Sequence, residues 1–313
     1  MSPTLNLIFC GTPAFAVPTL QTLHESGFHI SLVVTQPDRP RGRGMEFLPS
    51  PVKQKALELA LPISQPQKIK GNEEFRTQLS EIRPDAIIVV GYGRMIPQWM
   101  IELPPMGNIN LHASLLPKYR GAAPIQWAIA CGETGTGVTT MRIDAGLDTG
   151  DILLQKEVSI KAEDTAETLA PRLAEIGADL IIETLGGLAK GSVQAKPQES
   201  EPATFAPILK KEDGRIDFRR SAREIWNRLR GFQPWPGAFT SFRGKNLNIW
   251  EARPLDHNAS RVNELVIERE RMLVGCGDGT ALELMTLQPE GKKRINSRDF
   301  VHGYHPMNGE RLG

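Results

Sequence analysis

At 313 residues, with 40% hydrophobic and 23% charged side chains, the chain is long enough for about two domains and a core that needs no disulfide or structural metal. No apolar run approaches the roughly 18 residues of a membrane span, and Met1-Ser2-Pro3-Thr4 followed by a short apolar stretch does not read as a signal sequence, so a cytoplasmic chain without membrane association is expected. The net charge of +1 conceals two unlike parts: residues 1–189 hold 16 Lys and Arg against 20 Asp and Glu, whereas residues 190–313 hold 21 against 16, and a basic carboxy-terminal part suits a polyanionic partner.

Residues 5–10, the turn Gly11-Thr12-Pro13 and the helical spacing of Leu20 and Leu23 read as strand, turn and helix. Residues 30–35 and 85–90 are further strands, nearly all apolar, as expected for parallel strands covered on both faces. Between them Ser50-Pro51 starts one helix and Asn72 caps another through Glu81. Residues 108–112 and 136–143 form the next strands, and residues 152–160 alternate enough for an edge or antiparallel strand. Asp164-Thr165-Ala166-Glu167 resembles a capping box ahead of a long helix bearing Leu169, Leu173, Ile176, Leu180 and Leu185, which Pro171 should kink or restart.

From 190 to 207, Pro197, Pro202 and Pro207 sit among Ser, Glu and Gln, the composition of an extended linker. A short basic amphipathic helix at 222–230 follows. Five short segments after it (238–242, 247–250, 262–267, 271–275 and 281–287), separated by Gly or polar turns, suggest a small β-barrel. The expected architecture is α/β: a Rossmann-like wound sheet over residues 1–189, a linker over 190–207 and a small barrel domain over 208–313. Cys10, Cys131 and Cys276 are far apart and form no C-x-x-C pair, so neither a disulfide framework nor a thiolate zinc site is indicated, and buried apolar thiols are expected.

The first strand-to-helix turn, Gly11-Thr12-Pro13-Ala14-Phe15-Ala16, lacks the second and third glycines of a dinucleotide fingerprint, and no P-loop sequence occurs. The polar cluster at 110–117 carries more chemistry. Asn110 and His112 are two apart on a strand, so both side chains leave one face. An amide donor beside an imidazole can polarise a carbonyl and stabilise the negative charge that develops in acyl transfer. The alternative is a strand-end histidine satisfied by a backbone carbonyl.

A second segment, Asp144-Ala145-Gly146-Leu147-Asp148-Thr149-Gly150-Asp151, must be a loop. It suits either tight turns or a carboxylate placed to orient an imidazole, and it lacks the glutamate and alternation of a calcium loop. Ser114 has no G-x-S-x-G context, and His24, His29, His257, His302 and His305 show no H-E-x-x-H pattern, so serine and zinc hydrolysis are disfavoured and no metal is expected.

Asn110-x-His112-x-Ser114-Leu115-Leu116-Pro117 with Gly121 beyond it, together with Asp144-x-Gly146-x-Asp148-Thr149-Gly150, resembles the signature of the folate-dependent formyltransferases. Gly11-Thr12-Pro13, Thr35-Gln36-Pro37-Asp38-Arg39-Pro40, Pro49-Ser50-Pro51-Val52-Lys53, residues 120–126, Trp235-Pro236 and Leu287-Gln288-Pro289-x-Gly291-Lys292-Lys293 extend the resemblance over nearly the whole chain, toward the members that act on an aminoacylated tRNA.

The resemblance implies 10-formyltetrahydrofolate as formyl donor, the α-amine of methionine on initiator tRNA as acceptor, no metal, and an OB-like barrel that helps hold the tRNA. It implies a catalytic trio of Asn110, His112 and Asp148, a folate-contacting segment of Ser114, Leu115, Leu116 and Pro117, and a pterin-pocket wall of Tyr92, Arg94, Met95 and Ile96. It further implies that Arg43 wedges against the tRNA acceptor end, with Arg39 and Arg41 in the same basic loop, and that the protein works as a monomer. Met45-Glu46-Phe47 departs from the more basic run found in that loop, which points to a weaker electrostatic grip. Two alternatives stay open here: a formyltransferase for a small amine such as an amino sugar, and a non-catalytic RNA-binding protein.

Overall fold

The computed structural model describes residues 5–41, 46–199, 201–256 and 261–313. These form two compact units: one comprises the chain up to Pro124 with 135–159 and 170–207, the other holds 125–134, 160–169 and 208–313.

In the first unit the strands are β1 (Asn6–Gly11), β2 (His29–Val34), β3 (Arg39–Arg41), β4 (Glu46–Leu48), β5 (Ile63–Ser64), β6 (Ala86–Val90), β7 (Asn108–His112), β8 (Gly135–Arg142) and β9 (Ile152–Ser159). Apart from the small β3-β4 pair they form one sheet in the order β5-β2-β1-β6-β7-β8-β9. Pairings from β5 to β7 are parallel, and β8 and β9 are added antiparallel. All of β6 and all but the first residue of β1 are buried, the outcome of helices covering both faces of a parallel sheet. Phe75 and Leu79 of α3 (Glu73–Ile82) pack with Ile8, Ile87 and Val89 on one of those faces.

The chain builds outward from β1 to β2 and β5, then returns to place β6 on the other side of β1. Open α/β sheets bind ligands beyond the carboxyl ends of the strands at such a reversal. Gly11-Thr12-Pro13 and Gly91-Tyr92-Gly93 meet there: Thr12 Oγ1 donates to the Tyr92 carbonyl at 3.1 Å. Gly91 has φ +54, and a Cβ on it would lie 2.8 Å from Pro13 Cγ, so only glycine admits this approach.

The expected caps at Ser50 and Asn72 are present, their side chains accepting from Lys53 N and Phe75 N at 3.0 Å. The long helix α6 (Ala166–Ala189) is capped differently from the sequence expectation. Thr165 and Thr168, rather than Asp164 and Glu167, exchange reciprocal bonds of 2.9 and 3.3 Å, because the helix begins one residue later than the motif implied. It continues as one element through Pro171, which costs it a single backbone bond near its start, so the anticipated restart does not occur.

The second unit holds α7 (Ala222–Gly231), β10 (Ala238–Phe242), β11 (Lys245–Leu255), β12 (Leu265–Glu268), β13 (Arg271–Gly275), β14 (Ala281–Pro289), β15 (Ile295–Asn296) and α8 (Ser297–Tyr304). The sheet order is β10-β11-β14-β13-β12, with β15 on β14. The carboxy terminus bridges its two ends: Leu312 N donates to Asn263 O and Gly313 N to Ser241 O, both at 3.0 Å, so the small barrel's edges are covered rather than left as open templates. Helix α8, which the sequence did not announce, contributes the fully buried Phe300 to the core with Phe242, Leu247 and Leu284. Cys10 and Cys276 are buried, but Cys131 is exposed. It lies in the turn where Gly132 takes a positive φ, which corrects the expectation for that thiol.

Several arginines of this unit are paired with its own carboxylates. Glu283, in β14, accepts from Arg253 Nε at 3.0 Å and Arg271 Nε at 2.8 Å. Hydrogen bonding from Arg271, then from Arg253, holds its carboxyl below the usual range although burial opposes this. A depressed carboxyl contributes stability above its unfolded pKa and loses it as pH falls through the folded value. Stability of this unit, read from urea midpoints by Trp226 and Trp250 fluorescence, is therefore expected to fall below the carboxylate range of about pH 4. Glu283→Gln should flatten that decline and cost about 1 kcal/mol at neutral pH, since both guanidinium groups keep solvent contact. An unchanged slope in the variant would remove Glu283 from the acid sensitivity.

Candidate active site

His112 closes β7 in the middle of the sheet and is 5% exposed. Its Nε2 lies 2.9 Å from the Tyr119 carbonyl, and since a carbonyl only accepts, that nitrogen carries a proton. The backbone-satisfied reading thus describes one edge of the ring. On the other edge Nδ1 is 3.7 Å from Asp148 Oδ2, too long for a hydrogen bond; with the proton on Nε2 this nitrogen bears a lone pair, and it can donate to the carboxylate only after taking up a proton. Asn110, two residues back, lies between Val89 and Met141 in the sheet. Its half-buried amide has no hydrogen-bond partner among the described residues.

Asp148 arrives from a distance. Its loop leaves β8 beside the far end of β7, where Ile143 N donates to Asn108 O at 3.0 Å, and folds back toward His112. Asp144 shapes this loop, accepting from Gly146 N at 3.0 Å and Thr149 Oγ1 at 2.8 Å, which is the turn-making role of aspartate. Gly150 is pressed so closely on the Arg142 carbonyl that a Cβ would collide with it. Asp148 itself adopts a left-handed φ of +52, and its Oδ2 accepts from Gly121 N at 2.8 Å.

Between the strand and Gly121, the segment 114–117 is latched from behind. Ser114 Oγ donates to Lys118 O at 2.6 Å and so forms a turn rather than approaching His112. Thr139 Oγ1 donates to Ser114 O at 2.6 Å, and Gln155 Nε2 donates to Leu116 O at 2.9 Å. Leu116 is buried, while Leu115 is partly exposed against Gly137, where a Cβ would strike its side chain. Pro117 is also partly exposed.

The proposed pterin wall is divided. The Tyr92 ring is core, packed with Ile8, Cys10 and Ile87, and burial, reinforced by Cys10, pushes its phenol pKa up. Its carbonyl accepts from Thr12 Oγ1 at 3.1 Å and Gln36 Nε2 at 2.9 Å at the strand ends, so Tyr92 meets that region through its backbone. Ile96 packs against the same cluster. Arg94 is partly exposed, its Nη1 donating to Gln67 O at 2.6 Å, and Met95 is 86% exposed. Of the basic loop, Arg39 is exposed and donates to Gln36 Oε1 at 2.9 Å. The Arg41 backbone pairs with Glu46 in the β3-β4 ladder, while the Arg41 side chain and all of Arg43 lie outside the described residues.

No local pattern marks Gln198, Thr204 and Ala206, residues of the proline-containing stretch read as a linker. Lys196 and Ile152 exchange two backbone bonds of 2.8 Å, and Ala206 N donates to Arg120 O at 2.8 Å. Gly121, at φ +123, accommodates this contact: a Cβ would lie 2.6 Å from the Ala206 carbonyl.

A wound sheet that sets an amide and an imidazole on one face of β7, with a carboxylate 3.7 Å from the ring, is an arrangement suited to acyl transfer, and the chain belongs to the formyl transferase family: the family profile matches residues 5–185, and that of its C-terminal domain matches 208–305. Full-length relatives include methionyl-tRNA formyltransferases. The methionyl-tRNA formyltransferase of Koribacter versatilis is 66% identical, with 98% of each chain covered, and that of Acidobacterium capsulatum is 58% identical over 99% of this chain and 100% of that one. Among solved structures, the N-formyltransferase of Helicobacter canadensis, in complex with folinic acid and dTDP-3-aminofucose, superposes with a TM-score of 0.68 at 20% identity, covering 91% of this chain and 99% of that one. That likeness concerns the fold. No helix among the described residues is long and apolar enough to cross a membrane.

Proposed function

We propose that the chain transfers a formyl group from 10-formyltetrahydrofolate to the α-amine of methionine esterified to initiator tRNA, with Asn110, His112 and Asp148 as the reacting set. The observation that carries the reading is the Asn110 amide. It is a hydrogen-bond donor left unused among the described residues, on the same strand face as His112.

Esterification removes the amino acid's carboxylate charge and lowers the basicity of its amine, so a neutral nucleophile is available near neutral pH. The amine attacks the formyl carbon, and Asn110 stabilises the negative charge that develops on the formyl oxygen. The Tyr119 carbonyl keeps the His112 proton on Nε2, which leaves Nδ1 as the basic nitrogen. That nitrogen accepts a proton from the attacking amine while Asp148 supplies negative charge beside the ring. As the new C–N bond forms and the bond to the folate nitrogen breaks, the proton moves to that leaving nitrogen.

Arg94 and Met95, exposed beside the strand switch, are proposed as the open part of the pterin wall, with Leu115 and Pro117 opposite. Arg43, with Arg39 and Arg41, is proposed to hold the acceptor end. Lys292 and Lys293, exposed after β14, add phosphate contacts from the barrel domain, which 190–207 joins to the catalytic domain. The protein is read as a cytoplasmic monomer, a state that sedimentation of the purified chain measures.

Incubation with 10-formyltetrahydrofolate and Met-tRNA, followed by ester hydrolysis and mass analysis, is expected to release N-formylmethionine, and Arg43→Ala should weaken use of Met-tRNA far more than folate binding. Equal formylation of free amino sugars would favour the small-amine reading, and absence of any transfer would sink the enzymatic one.

A further inference from the structure

The reacting groups are held by a segment outside the sheet. Residues 196–198 and 204–206 touch the backbone on both sides of the site, beside His112 at Tyr119 and Arg120 and in the Asp148 loop at Asp148 and Gly150. Thr204 Oγ1 accepts from Tyr119 N at 2.9 Å, beside the carbonyl that anchors His112. Arg120 N donates to Thr204 O at 2.9 Å. Gln198 does the most specific work: its Nε2 donates to Asp148 O at 2.9 Å and Gly150 O at 2.7 Å. Its Oε1 accepts from Arg120 Nε at 3.1 Å and Nη2 at 2.7 Å.

A primary amide has two donor hydrogens and two acceptor lone pairs, and all four are engaged here. No other side chain of similar size meets that demand: a carboxylate cannot donate to the two carbonyls, and an ammonium cannot accept from Arg120. One of the two carbonyls belongs to the left-handed residue that carries the carboxylate and the other lies two residues on, and such a conformation persists only where the surroundings hold it. Arg120 in turn adjoins Gly121, whose N–H fixes Asp148 Oδ2. Both ends of the Asp148 carboxylate's support therefore run through one amide.

We infer that Gln198 is a positioning residue for formyl transfer: it sets the backbone at Asp148 and, through Arg120, the Gly121 N–H, and so fixes the carboxylate relative to His112. This inference rests on the catalytic reading of Asp148. It makes the 190–207 stretch part of the active-site architecture rather than a plain connector.

Single-turnover rates and KM values of the full chain, with Gln198→Ala, Gln198→Glu, Asp148→Asn and the double variant Gln198→Ala/Asp148→Asn, test it. Because misplacement by about 1 Å costs up to roughly 100-fold, Gln198→Ala is expected to slow transfer by about 10- to 100-fold with KM for both substrates within about threefold. Gln198→Glu, which keeps the acceptor for Arg120 but loses the donors, should be slowed comparably. In the Asp148→Asn background, removal of Gln198 should cost less than about twofold, since residues that act as a unit are not additive.

Wild-type rates in Gln198→Glu, or the same rate loss in both backgrounds, would overturn the inference. So would loss of the melting transition in both Gln198 variants, which would make the contact a general structural one. Asp148→Asn turning over at the wild-type rate would overturn the catalytic reading itself, a result separable from an inactive Asp148→Asn paired with a fully active Gln198→Ala.

Discussion

Asn110→Ala and His112→Ala are each expected to slow the chemical step by about two to three orders of magnitude, the usual loss when a preorganised donor or proton acceptor is removed. Their effects on stability should differ, and that difference follows from the structure. The Asn110 amide has no hydrogen-bond partner among the described residues, so Asn110→Ala should melt as the wild type does. His112→Ala deprives the Tyr119 carbonyl of its ring partner, which costs roughly 1–3 kcal/mol when the group stays buried. Single-turnover formylation and thermal melting measure the two quantities. Rates within threefold of wild type in a folded Asn110→Ala chain would remove the amide from the reaction.

Asp148→Asn separates charge from shape. Asparagine tolerates the left-handed region better than most residues, and its side-chain oxygen can still accept from Gly121 N, so the loop should keep its course. The negative charge beside His112 is lost, and the rate should fall by about 100-fold or more, the scale of acid–base assistance, while tRNA binding stays within about threefold. A variant that binds tRNA much more weakly yet turns over normally at saturation would move Asp148 from catalysis to recognition.

The strand face shared by Asn110 and His112 was legible because alternation along a strand is a local property of the backbone. The aspartate-rich loop left open whether Asp148 makes a turn or orients the imidazole, and only the family resemblance chose between them, since a loop that reverses over the sheet brings Asp148 to His112 from 36 positions along the chain. The caps at Ser50 and Asn72 were readable because each is closed within three residues. The Thr165-Thr168 box was displaced from its predicted place because two overlapping motifs compete and the helix start decides between them. Helix α8 escaped notice because it is short and presents its apolar side chains to a core assembled from distant strands.

The parallel strands follow from local sequence, since their apolar runs cannot face water, and so does the polar character of the proposed reaction site, whose residue types carry the same chemistry in any fold. Tertiary structure decided which edge of the His112 ring is basic, because only the fold brings the Tyr119 carbonyl to Nε2. It also decided that the stretch read as a connector helps build the site. Gln198 has no local pattern to mark it, and its four hydrogen bonds come into being only when the Asp148 loop and Arg120 have been folded to either side of it.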